Sequence, residues 1–244
     1  MSNAIEIFER QKNGVINIIR AADVFAHYII ADLRQEEPDK EIIWRIVKEK
    51  ALSGLNLLGF AYRQGEIDLL EKRGELKEII HQVIIATYGI FEIYLIEKFA
   101  EYYRHYAKSD NSDLIDISLK KIKIRSLDEI KDNFYDFFKI HVPSFEIDYF
   151  SDNKSNFQPT TSWAAIKQIE KARNEIVHQG KTMQYKAATL MDAWYPFEFI
   201  CRWVGLFNVN FDALVYEGRR YGLIQEYEER LKNTKLGKEQ PCGK

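Results

Sequence analysis

Cysteine, proline and glycine are all scarce in this chain. Its 244 residues include two cysteines, Cys201 and Cys242, with five prolines and twelve glycines. Two distant cysteines without a C-x-x-C pair give neither a disulfide framework nor a zinc site. No glycine-rich phosphate loop precedes a helical stretch and no G-x-S-x-G occurs, so neither nucleotide hydrolysis nor a nucleophile elbow is indicated. His27, His81, His105 and His141 fall into no metal-ligand pattern, and Asp113, Asp116 and Asp128 are scattered acids. No metal and no cofactor are therefore expected. Charge of one sign is missing too: 35 Lys and Arg face 37 Asp and Glu, for a net −2. Whole-molecule attraction to nucleic acid is not expected, and any such contact must come from a local patch. The longest apolar run, residues 83–96, is shorter than a bilayer span and contains Glu92, so it reads as a buried helix with no membrane role. The first ten residues carry charges where a signal peptide needs an apolar core, which points to the cytoplasm.

Aromatic residues, by contrast, are plentiful. Fourteen tyrosines and fifteen phenylalanines suit a large core with few breaks. Apolar residues recur at helical spacing over 4–34, and Pro38 with Asp39 breaks and recaps the pattern. A second helix is expected over 40–63 and a third from about Ile67, pausing at Gly74. The stretch 75–106 is apolar almost all round at its centre and belongs in the middle of a bundle. Ile115 to Ile124 alternates apolar and polar residues and reads as one short strand or extended arm. Its Lys120, Lys121, Lys123 and Arg125 fit a charged strand edge better than an RNA contact. Ser126 with Glu129 makes a capping-box start for a helix reaching about Ile140. An irregular loop over 142–160, a helix over 161–178 and a long helix over 184–216, kinked or shifted by Pro196, complete the pattern. The expected fold class is all-α: an up-and-down helical bundle over 76–216, with an N-terminal helical extension over 1–75. Residues 217–244 form a helix end and a polar tail.

One run carries chemistry: Lys171-Ala172-Arg173-Asn174-Glu175-Ile176-Val177-His178-Gln179-Gly180. At about 100° per residue, Ile166, Ile169, Ala172 and Ile176 define an apolar stripe, and Arg173 falls on it. Asn174 and His178, four apart, share another face with Lys167, Lys171 and Glu175. An arginine turned toward packing needs a carboxylate or a phosphate. Two readings fit: a structural Arg–Glu pair with a histidine at the negative end of the helix dipole, or a cation, an amide and an imidazole set to act on a phosphodiester. Glu92, amid apolar neighbours, is expected to be buried and paired, with Arg173 as its best partner.

The Arg173-Asn174-x3-His178 pattern resembles the R-x4-H motif, in its R-N-x3-H form, of HEPN domains. Upstream, Ala86-Thr87-Tyr88-Gly89-Ile90-Phe91-Glu92-Ile93-Tyr94-Leu95 is similar to the first bundle helix of HEPN families of the RiboL-PSP type. The resemblance covers roughly 76–216. It implies a helical bundle with metal-independent endoribonuclease activity, as in toxins and abortive-infection defence proteins. It further implies that His178 acts as general base or acid, that Arg173 stabilises transition-state charge, and that Asn174 orients the imidazole or the phosphate. Glu92 would support Arg173 from behind, and Lys167, Lys171 and Lys181 would meet the RNA. A homodimer sharing one cleft, and a cognate antitoxin, are the partners it suggests. The alternatives are a non-catalytic HEPN-like binding or regulatory module, and a larger helical core with a chance motif match.

Overall fold

A computed structural model describes residues 3–48, 75–106, 119–122, 126–149, 157, 160–179 and 190–216. Of these residues 87% are helical and none lies in a strand, so the protein is all-α as expected. The described elements are α1 (Asn3–Arg34), α2 (Lys40–Lys48), α3 (Glu75–Tyr106), α4 (Leu127–Phe138), a 3-10 turn (Val142–Ser144), α5 (Ser162–Gln179) and α6 (Leu190–Tyr216).

Local chemistry sets several of their ends. Gln35, at φ 57°, closes α1 in the left-handed region; its N–H donates to Asp32 O and that of Glu36 to Ala31 O. Asp39 then caps α2 by accepting the N–H groups of Glu41 and Ile42 at 2.9 and 3.1 Å. Ser126 Oγ accepts the Glu129 N–H at 3.2 Å and starts α4, and Thr161 Oγ1 accepts the Ala164 N–H at the start of α5. Ser162 ties the preceding loop to that helix. Its Oγ accepts the Ile147 N–H and its own N–H donates to Glu146.

Apolar residues round most of its circumference oblige α3 to be covered on most sides, and a stripe through Gln82 and Ile93 stays exposed. The most extensive cover is α1, followed by α6, α5 and α4. Phe91, Trp203, Phe207 and Phe145 interlock at the centre, with Trp203 stacked on Phe207 at 4.5 Å and the other pairs edge to face. A second aromatic group joins Phe99 to Phe134 and Phe138 under α4. Along α1, Phe8 meets Tyr94 edge to face, and Val15, Ile19, Ala22, Ala26 and Ile29 continue the same core. The first helix of the N-terminal segment therefore completes the bundle core rather than standing apart from it.

Several expectations change. The strand over 115–124 is not seen where the structure describes it: Leu119 to Lys121 is helical and Ile122 is a bend. Alternating polarity over so few residues also fits a helical turn with one face against the core, where Leu119 and Ile122 pack. The helix α6 runs through Pro196, whose missing N–H falls within its second turn. Residues 49–74, the start of the last helix at 184–189, Gly180, and 217–244 lie outside the described residues. By length and composition α1 and the 77–105 part of α3 could each cross a bilayer, with mean hydropathy 1.4 and 1.7. A core helix passes the same test, and these two are packed against each other.

One buried charge stands out on α3. Lys98 is fully buried, with its ammonium on Asp212 of α6, 3.5 Å from Glu101, and 5.0 Å above the Tyr102 ring. Asp212 also accepts from Asn208 and Tyr102. Removing one partner of a buried pair leaves the other charge unmatched, at a cost of about 3 kcal/mol or more. Asp212→Ala should therefore lower the urea midpoint strongly, and Lys98→Met much less. Equal midpoints for Asp212→Ala and the parent would refute this role.

Candidate functional site

Ile166, Ile169 and Ala172 are buried along α5 and fix which face of that helix meets α3. That register turns Glu170 and Arg173 toward Tyr88 and Glu92, one turn apart on α3. The Arg173 guanidinium lies 5.8 Å from the Tyr88 ring centroid, and one of its nitrogens donates to Asn174 Oδ1 at 2.8 Å. Among the described residues no carboxylate forms an ion pair with it. A half-buried guanidinium has five donors in a fixed fork, and here Asn174 takes one of them.

Glu92 departs from expectation in two respects. It is half-buried rather than buried, and it makes no ion pair with Arg173. The guanidinium lies over the Tyr88 ring, one turn away along α3, so attraction between the two charges acts without contact. Burial raises the Glu92 carboxyl above its ordinary range, Arg173 pulls it partly back, and Glu170 pushes it up further. Glu170 is engaged at both oxygens: Oε1 accepts the Tyr88 hydroxyl at 3.2 Å and Oε2 the Lys167 ammonium at 2.8 Å. Burial, then the neighbouring Glu170 and Glu92, hold the Tyr88 phenol firmly protonated.

The Lys167 ammonium also bonds Asp128 of α4 at 3.0 Å and lies 5.9 Å from the Trp163 ring. Burial tends to lower its pKa, but the hydrogen bonds to Glu170 and Asp128 outweigh burial and raise it. Its charge thus ties α4 to α5 and is already matched, unlike that of an open RNA contact. Lys171 is exposed, 3.9 Å from Glu175, and Lys181 lies outside the described residues. Asn174 and His178 are both exposed, and His178 occupies the last turn of α5. Four residues turn a helix by about 40° beyond a full circle, so Asn174 and His178 share a face; five turn it by about 140° and rise about 7.5 Å, so Arg173 leaves the helix well round from His178, with Asn174 between them.

Tyr88 and Glu170 are the members of this cluster that the sequence reading passed over. Their signal was there: Tyr88 stands four residues before Glu92, and Glu170 three before Arg173, on facing sides of two helices. The reading likewise missed Asp23 one turn before His27; both lie on α1, 4.0 Å apart. Burial lowers the imidazole pKa of His27 and of His81. Among the described residues no three His, Cys, Asp or Glu side chains gather as a metal-ligand group. Cys201, half-buried, has its thiol pushed up to about 12, chiefly by burial, and is no nucleophile at neutral pH.

Comparisons with protein families, with curated proteins and with solved structures give no match to this chain. Fold and site together define an all-α protein with a tyrosine-backed, Asn-held arginine and an exposed histidine on one helix.

A carboxyl whose pKa is raised on folding favours the folded state while protonated. That contribution is present below the unfolded carboxylate pKa and is lost as pH rises through the folded one. Glu92→Gln should therefore melt at or above the parent's temperature at pH 7, and the difference should vanish toward pH 4. Melting curves across that range check the sign, and a lower midpoint for Glu92→Gln at pH 7 would contradict it.

Proposed function

We propose that this protein is a metal-independent endoribonuclease of the HEPN type, with Arg173, Asn174 and His178 as its reacting group. The observation that carries the reading is the state of Arg173: held by Tyr88 and Asn174, yet unmatched by any carboxylate among the described residues. A guanidinium serving architecture alone would be expected to close a pair with Glu92 or Glu170. Left open, it suits a phosphate, which takes two of its parallel donors.

In this reading the His178 imidazole takes the proton from a ribose 2′-hydroxyl. The freed oxygen attacks phosphorus as the bond to the 5′-oxygen breaks and water protonates the leaving oxygen; in the alternative, His178 supplies that proton and water takes the one from the 2′-hydroxyl. Arg173 meets the extra negative charge on the five-coordinate phosphorus. Asn174, already bonded to Arg173 and one helical turn before His178, is the residue that links the two. A homodimer would bring two such sets to one cleft and give the local positive field that a net charge of −2 does not. Exposed Val177 and Ile93 offer apolar surface beside the motif for such a contact. Lys171 and Lys181 are the basic residues for the flanking strand, and an antitoxin is the regulatory partner of a toxin or defence effector.

The integration of α1 into the core favours a second reading. A bundle with this extra helix is larger than the 76–216 unit the resemblance covers, and it fits a non-catalytic binding or regulatory module equally well. Cleavage decides between them. His178→Ala should abolish RNA cleavage with the fold intact, since an exposed helix-end residue carries little of the core. Arg173→Ala should lose at least as much activity, and Asn174→Ala less. Cleavage should persist in EDTA and leave 2′,3′-cyclic phosphate ends. Parent-like cutting by His178→Ala, or cutting that needs added divalent metal, would overturn the proposal.

A further inference from the structure

Glu170 stands three residues before Arg173 on α5, a spacing at which opposite charges on a helix meet. Its carboxylate nevertheless does not take the guanidinium. The Tyr88 hydroxyl occupies Oε1 at 3.2 Å and the Lys167 ammonium occupies Oε2 at 2.8 Å. Lys167 is itself anchored to Asp128 across the α4–α5 contact. Tyr88 is only 4% exposed, so its hydroxyl would lose most of its hydrogen bonding if Glu170 turned away. The ring of the same tyrosine lies beneath Arg173. One side chain thus supports the guanidinium and occupies the acid that would neutralise it.

We propose that Tyr88 and Glu170 are positioning residues for Arg173. The Tyr88 and Lys167 bonds fix the Glu170 carboxylate in an orientation that makes no salt bridge to the guanidinium, and the Tyr88 ring holds the guanidinium where a phosphate of the substrate strand can reach it. Only the naming of that phosphate rests on the ribonuclease reading. The competition between Tyr88 and Arg173 for Glu170 is a property of the fold and is measurable without RNA.

Phenylglyoxal, an arginine-selective dicarbonyl, measures it on the full chain, with modification at Arg173 followed by mass spectrometry. Tyr88→Phe keeps the ring and uncovers one oxygen of Glu170, so Arg173 should close the pair and react more slowly. The expected slowing is about two- to fivefold, the range of a partly exposed ion pair. Tyr88→Phe combined with Glu170→Gln removes the competing charge and should restore the parent rate, which a purely structural role for Tyr88 would not do. RNA cleavage by the same variants should fall and recover in step. If Tyr88→Phe fails to give a native circular dichroism spectrum, Lys167→Met uncovers the other oxygen and should slow Arg173 in the same way. Unchanged Arg173 reactivity in the folded single variant, or a double variant that stays slow, overturns the proposal. A correct modification pattern with no cleavage by any form, parent included, leaves the positioning role standing and removes the ribonuclease reading instead.

Discussion

The constraint that shapes this protein is the central helix α3. Apolar round most of its circumference over its middle, it needs cover on most sides; α1, α4, α5 and α6 supply it, and only a narrow stripe through Gln82 and Ile93 meets solvent. Such a helix can carry polar side chains only where a neighbour supplies partners, because an unmatched polar group in that setting costs several kcal/mol. Two polar clusters on α3 find such partners, and Tyr94 reaches Asn208 of α6 between them. At one, Lys98 reaches Asp212 and Glu101 and locks α3 to α6. At the other, Tyr88 and Glu92 look toward α5.

These two polar sites differ in a way that matters for function. The Lys98 site is matched: the ammonium is fully buried against two carboxylates, and tyrosine and asparagine donors satisfy the remaining acceptors. It reads as architecture. The Tyr88 site is matched for Glu170 and Lys167 but not for Arg173, although Arg173 lies near enough to Glu92 to hold its carboxyl partly down. Folding could have closed that pair and has not. Preorganised charge kept open at a surface is the form in which a helical bundle can meet an anion without rearranging.

Much of the fold was legible in the sequence because its signals are local. The helix over 75–106, the Asp39 cap and the Ser126 cap follow from periodicity and capping chemistry, and the structure shows them. The strand or extended arm expected over 115–124 does not hold over 119–122, because alternation over a few residues does not separate a strand from one turn of helix. The role of α1 was not legible either: its apolar stripe shows that it packs, not what it packs on, and its partner lies some seventy residues away in sequence. In the candidate site, the exposure of Asn174 and His178 and the inward lean of Arg173 followed from the 3.6-residue period. The Glu92–Arg173 pair did not form because an apolar neighbourhood announces that a carboxylate needs help without saying which residue gives it. Tyr88 intervenes, and only the crossing of two helices reveals it.

The claim on which everything functional depends is that Arg173 is available to a phosphate beside His178. Side-chain NMR of the parent protein tests it most directly, following the Arg173 guanidinium and the His178 ring during titration with a 2′-O-methyl oligoribonucleotide that cannot be cut. The account predicts saturable shifts at both residues with one common dissociation constant. Binding that shifts other residues while leaving Arg173 and His178 unmoved would contradict it.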